Sequence, residues 1–222
     1  MGNFSLKFDK FWETFIKYNG YVKVLEGLKN TLTIAVLGLI IGIVIGTLIA
    51  TARVIPQYKV LPRILNKICS FYVALFRGTP IVVQLLVFYY VLLPLMGSRM
   101  TGIQVAVMVF GLNSAAYISE IMRGGIMSVD SGQMEAGRAV GLSFGTTMLK
   151  IVIPQAVKNI LPTMGNELIA LIKDTSVVSF VGATDLYVAF SFIGSSNYEF
   201  MVPYLVMALI YIVLVLIISF AI

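Results

Sequence analysis

The sequence predicts an all-α membrane protein, a single domain with five transmembrane helices. Three observations carry the prediction. Of 222 residues, 59% are hydrophobic and only 12% charged, where a soluble domain carries about a quarter charged residues. Mean hydropathy is +0.97. Apolar runs long enough for a hydrocarbon core of ~30 Å recur between short polar stretches. The composition also narrows the chemistry. No histidine occurs and the one cysteine, Cys69, sits in an apolar run. An internal disulfide, the commonest metal ligand and the commonest acid–base residue are therefore absent, and the chain is not expected to be an enzyme.

Residues 1–26 read as an N-terminal amphipathic, interfacial segment ahead of a transmembrane domain at 27–222. Residues 1–20 hold no signal-peptide core. Phe8, Phe11, Trp12 and Phe15 share one helical face, with Lys7, Lys10, Thr14 and Lys17 opposite. That pattern suits a helix in the headgroup zone, and equally one packed on the transmembrane core. The first span is expected at 29–52. Gly38, Gly42 and Gly46 recur there every four residues, a stripe that lets another helix come close, one of the same subunit in preference to a dimer partner.

The second span, 68–94, is interrupted by Arg77-Gly78-Thr79-Pro80. Pro80 removes a backbone donor, so the helix must kink or break. An arginine at membrane depth must face protein, water or an interface. Arg77 is thus a candidate for meeting a substrate carboxylate or for sensing closure between subunits, or else a snorkelling residue beside a packing kink. In the third span, 101–122, Asn113, Tyr117 and Glu120 fall at i, i+4 and i+7 on one face, which should look inward. Arg123 lies three residues beyond Glu120, close enough to pair with it.

Between the third and fourth spans comes a less apolar stretch, EAGRAVGLSFGTTMLKIVIP, from Glu135 to Pro154. Asp130, with Gln133 three residues on, signals a helix start. Gly141 stands where a helix end needs a left-handed residue. A short exposed helix with small residues Ala136, Gly137 and Ala139 beside Glu135 and Arg138 has the character of a docking element. The fourth span, beginning near Pro162 and ending near residue 172, carries Asn166 and Glu167. Residues 177–193 are expected as an extracytoplasmic interfacial segment. The fifth span, 201–222, is a wall with little polarity.

The spacing of Glu135-Ala136-Gly137, Gly141 and Ile153-Pro154 resembles the EAA loop of permease subunits in binding-protein-dependent ATP-binding-cassette (ABC) importers. The family pattern usually has Ala at the third position and Leu before the Pro, where this chain has Gly137 and Ile153. FRGTPIVVQL from Phe76 and YISEIMRGGIMSVD from Tyr117 are similar to the polar amino acid branch of that family. The resemblance implies a type I ABC importer permease architecture, with a cytoplasmic coupling helix in a loop at 130–156. It implies ATPase-coupling roles for Glu135, Ala136, Gly137, Arg138, Gly141 and Pro154.

The partners implied are two ABC ATPase subunits, a second permease chain (a copy or a sister), an extracytoplasmic solute-binding protein, an amino acid substrate and membrane lipid, with no nucleic acid. No G-x-x-x-x-G-K-[ST] occurs, so ATP and Mg belong to the partner ATPase and the chain itself carries no cofactor. The expected location is a bacterial-type cytoplasmic (inner) membrane. Arg53, Lys59, Arg63 and Lys67 follow the first span, and Arg123, Arg138, Lys150 and Lys158 surround the EAA loop; the opposite loops hold Arg99 and Lys173. Positive-inside counting then puts the EAA loop in the cytoplasm and the N-terminus outside, against the five lysines of the N-terminal segment.

For the substrate pathway the candidates are Arg77, Asn113, Tyr117, Glu120, Asn166 and Glu167. A desolvated carboxylate needs a cationic partner, so two glutamates at membrane depth favour arginine, lysine or histidine over glutamine or glutamate. Internal pairing of Glu120, for instance with Arg123, would remove that preference. An ion-coupled secondary transporter would use the same acids but would show internal repeats, and the five spans show none.

Overall fold

The computed structural model describes residues 4–221, and among them every regular element is helical. Helix α1 (Phe4–Ile16) turns through Asn19, at φ 55, into α2 (Gly20–Val54). That helix has 35 residues and begins well before the predicted start of the first span. Its early charges Lys23, Glu26 and Lys29 stay exposed, with Lys23 Nζ 3.9 Å above the Phe192 ring. Helix α3 (Val60–Gly78) also starts earlier than expected, since Pro62 in a first turn interrupts no hydrogen bond. The interruption at Pro80 is a true break, with α4 (Ile81–Val87) leaving at an elbow of 105°.

A π turn, Phe88–Leu92, joins α4 to α5 (Leu93–Leu95). Helix α6 (Gly102–Met127) opens with a capping box. The Thr101 hydroxyl accepts from Gln104 N at 3.3 Å, and Gln104 Oε1 accepts from Thr101 N at 2.9 Å. Helices α7 (Ser131–Ala139) and α8 (Phe144–Thr147) follow, then a second π turn, Met148–Val152, and α9 (Ile153–Asp174). Both π turns end just before a proline, Pro94 and Pro154. A wide turn there makes room for a ring that would strike the preceding turn. The fourth span is thus longer than predicted: its helical path begins at Phe144 and carries Pro162 inside it.

A 3₁₀ segment, Thr175–Val181, leads to α10 (Leu186–Asn197) and α11 (Met201–Ala221). Three helices, α2, α6 and α11, are long and apolar enough to cross a membrane alone. Two bent pairs, α3 with α4–α5 and the Phe144–Val181 path with α10, pass the same test together, and counting each as one span gives up to five. The break between 177 and 193 falls where Gly182, at φ 70, and the N-cap Asp185 stand. That stretch buries Val178, Val181, Leu186, Phe190 and Ile193 against neighbouring helices.

The centre is the parallel pair α2 and α6. A Cβ on Gly38 would lie 3.2 Å from Phe110 Cβ, one on Gly42 2.7 Å from Ser114 Oγ, and one on Gly46 2.9 Å from Ala115 O. The glycine stripe therefore seats a helix of the same chain, as its spacing suggested. Around it Ile34, Leu85, Phe110, Leu171 and Val178 are buried in one cluster. Helix α1 packs on this body by one face: Phe11 and Thr14 are buried, and Asn197 Nδ2 donates to Lys10 O and Thr14 Oγ1, both at 3.1 Å. Thr14, grouped with the lysines from sequence, is thus an inward residue, while Phe8 and Trp12 remain exposed.

Candidate functional site

The EAA-like segment folds as a short helix held at both ends. Asp130 caps α7, its Oδ1 accepting from Gly132 N at 2.7 Å. Gln133 does not complete a box; its Oε1 instead accepts from Gln155 Nε2 at 3.4 Å. At the other end Leu142 N donates to Gly137 O and Gly141 N to Arg138 O, each at 3.1 Å, with Gly141 at φ 87. This closure needs a left-handed residue, which glycine supplies without steric cost. The Arg138 guanidinium adds a bond to Leu142 O at 2.9 Å.

Gly137 is the one buried residue of α7. It lies against Thr147, whose Oγ1 and Cβ would be 2.8 Å and 3.2 Å from a Cβ at position 137, with Cγ2 closer still. That contact explains the departure from the usual alanine. Glu135, Ala136, Arg138, Ala139 and Val140 stay exposed, so the helix presents a small-residue face edged by two charges. Pro154 is exposed in the first turn of α9. The result is a rigid projection fixed to the end of α6 and, through α8, to the start of α9.

The polar residues at membrane depth divide into three places. At the elbow, Asn113 of α6 is buried with Gln84 of α4. Asn113 Nδ2 donates to Gln84 Oε1 at 3.0 Å and to Phe76 O at 3.3 Å. Arg77, exposed, lies over Tyr117 with its guanidinium 5.3 Å from the ring centre. An apolar cleft of about 390 Å³ opens beside them, lined by Phe76, Val83, Gln84 and Phe88 among others.

Further along the same face of α6, Glu120 is held between two arginines. Oε1 pairs with Arg53 Nη1 of α2, and Oε2 with Arg123 Nη2 at 2.9 Å and Arg123 Nε at 3.2 Å. Its charge is balanced within the chain, so it gives no support to a cationic substrate. On a different face of α6, Ser114 Oγ donates to Glu167 Oε1 of α9 at 3.0 Å. Among the described residues Glu167 makes no ion pair, and its neighbour Asn166 is exposed.

The structure therefore brings Arg77, Asn113 and Tyr117 together, leaves Glu167 with Asn166 apart, and removes Glu120 to an internal triad. Sequence reading missed Gln84, Ser114 and Arg53. Gln84 was discoverable, standing in the first turn after the Pro80 break where orphaned carbonyls need donors. Arg53 and Ser114 had no local signal. No group of three metal-ligating side chains gathers among the described residues.

Residues 38–222 match the family described as binding-protein-dependent transport system inner membrane component. The arginine transport system permease protein ArtQ of Bacillus subtilis is 40% identical over 197 residues, 89% of this chain and 88% of that protein. A putative glutamine transport system permease protein, GlnP of Rickettsia bellii, is 38% identical over 94% of both chains. Among solved structures, an amino acid ABC transporter with histidines superposes with a TM-score of 0.83 at 36% identity, over 93% of this chain and 92% of that one. The inward-facing MetNI methionine ABC transporter shares the fold, with a TM-score of 0.74 at 21% identity over 89% of this chain.

Proposed function

The chain belongs to the family of binding-protein-dependent transport system inner membrane components, and from that premise we propose that it forms the translocation pathway of an ATP-driven importer of polar amino acids. The observation that carries the reading is α7: an exposed small-faced helix, locked by the Gly137–Thr147 contact and the Gly141 turn, and joined by short turns to the end of α6 and the start of the α8–α9 path. A projection of that kind transmits displacement without absorbing it.

In this reading α7 sits in the cytoplasm and the N-terminus outside, in keeping with the lysine and arginine count of the loops. Two copies, or this chain and a sister, pair so that each α7 meets one of two ABC ATPases. Glu135, Ala136, Arg138 and Gly141 form the contact or its geometry, and Pro154 starts the helix behind it. ATP binding draws the ATPases together, and each carries its docked α7. Helices α6 and α9 follow as rods, and the pathway changes from inward- to outward-facing. A solute-binding protein delivers substrate to the outward state. Direction comes from the nucleotide-dependent shift between two states.

For the substrate, Arg77 stands free at the elbow to meet a carboxylate. Asn113 faces the amino group, and Glu167 with Asn166 lies on the second face of α6. Glu167 is the acid that now carries the preference for arginine, lysine or histidine; Glu120, neutralised by Arg53 and Arg123, does not. The reading of a glutamine or glutamate importer is favoured by that neutralisation. Reconstitution with the ATPase and binding protein decides between them. The proposal expects ATP-dependent uptake of radiolabelled arginine, competed by lysine or histidine. Uptake of glutamine alone, indifferent to arginine, would reverse the preference. Uptake driven by an ion gradient without ATP would overturn the importer reading.

A further inference from the structure

The elbow contains a device whose cause is a single missing hydrogen. In a continuous helix Phe76 O would accept from the N–H four residues on, but residue 80 is proline and has none. A buried carbonyl left without a donor is strongly unfavourable. Two side chains supply donors instead: Gln84 Nε2 at 2.8 Å and Asn113 Nδ2 at 3.3 Å. Gln84 Nε2 also reaches Thr79 Oγ1 at 2.9 Å and Thr79 O at 3.0 Å. The Thr79 hydroxyl in turn donates to Leu75 O at 2.8 Å. One glutamine thus gathers the frayed end of α3.

The orientation of that glutamine follows. Its amide nitrogen must face the α3 carbonyls, so its Oε1 faces α6 and accepts from Asn113 Nδ2 at 3.0 Å. The Asn113 amide is then fixed as well. Turning it over would set Oδ1 against Gln84 Oε1 and Phe76 O, two acceptors facing an acceptor. Both Asn113 amide hydrogens are spent, and among the described residues no donor reaches its Oδ1.

We infer that Gln84 is a specificity-determining positioning residue: by locking the Asn113 amide it makes the elbow offer a passing amino acid an acceptor, suited to an α-ammonium, beside the Arg77 guanidinium suited to the α-carboxylate. The site reads the zwitterion rather than the side chain. This rests on the amino acid reading above and adds the part of the molecule that is recognised. Gln84 acts through Asn113 and touches no substrate itself.

The test uses the permease assembled with its ATPase in nanodiscs. Binding of radiolabelled arginine and of radiolabelled glutamine is competed by the deamino analogue of each, which lacks the ammonium. The wild-type complex should prefer the amino acid by about tenfold or more, the worth of one hydrogen bond to a charged group. Gln84→Met should bring that ratio close to one while assembly and basal ATP hydrolysis persist. Asn113→Leu should likewise bring the ratio close to one, and Gln84→Met with Asn113→Leu should lose no more than either alone. Asn113→Leu leaves Gln84 on the α3 carbonyls, so it reads the lost acceptor even if Gln84→Met fails to assemble. An unchanged ratio in Gln84→Met or in Asn113→Leu, or additive losses in the double variant, would overturn the inference. Binding of neither amino acid by the wild-type complex is a different failure, that of the amino acid reading itself.

Discussion

Gly137→Ala restores the residue that the resemblance leads one to expect, and it should weaken α7 rather than strengthen it. In isolation the substitution favours a helix by about 1 kcal/mol. Here the new methyl would overlap Thr147 Cγ2 and stand 2.8 Å from its Oγ1. Thr147 cannot turn aside: it is fully buried, β-branched, and its hydroxyl donates to Ser143 O at 3.0 Å. Overpacking of this kind costs about 1–3 kcal/mol, so the net loss should be roughly 1 kcal/mol. Amide hydrogen exchange across α7 reads it directly, as a rate about fivefold faster in the variant. Thr147→Ser removes the colliding methyl and keeps the hydroxyl bond. Gly137→Ala with Thr147→Ser should therefore exchange more slowly than Gly137→Ala alone, a coupling of about 1 kcal/mol in the cycle. Recovery stops short of full because the hydroxyl oxygen still stands 2.8 Å from the new methyl. ATP-dependent uptake should fall and recover in parallel. Equal exchange rates in all four proteins would refute the packing argument.

Two further outcomes follow from the same geometry. Gly42→Val drives a branched side chain into Ser114, whose Oγ and Cβ lie 2.7 and 2.8 Å from the first carbon. The expected loss is about 1–3 kcal/mol, or roughly 2–12 °C in melting temperature, read as unmasking of the lone, half-buried Cys69 to a thiol dye; an unchanged melting point would contradict the close α2–α6 packing. Trp12 is the only tryptophan and is exposed on the outer face of α1. If that face meets the headgroup zone, emission in vesicles should be blue-shifted and quenched by brominated lipid, whereas quenching by aqueous iodide alone would place the helix in water.

Much of this arrangement is legible in the sequence, because its causes are local. The Pro80 break, the Asp130 cap and the left-handed Gly141 each follow from the backbone chemistry of one residue. The glycine stripe of α2 follows from helical spacing, and so does the shared face of Asn113, Tyr117 and Glu120. What escaped depends on partners far along the chain. Glu120 looked available because Arg53, the second cation of its triad, arrives from another helix. Thr14 looked polar and outward because α10, which buries it, lies at the far end of the sequence. The long α9 path through Pro154 and Pro162 was hidden because proline normally ends a helix. A π turn makes room for Pro154 instead, and α9 carries Pro162 in its interior.

The central claim is that α7 is a water-facing lever gripped by a separate ATPase. Ala136, small and exposed on the free face of α7, is the position that tests it. With Cys69→Ser as background, Ala136→Cys should react with a membrane-impermeant thiol reagent from the cytoplasmic side alone. It should be shielded when the ATPase is bound, and should cross-link to that subunit. Labelling from the outer side, or equal labelling with and without the ATPase, would contradict the account.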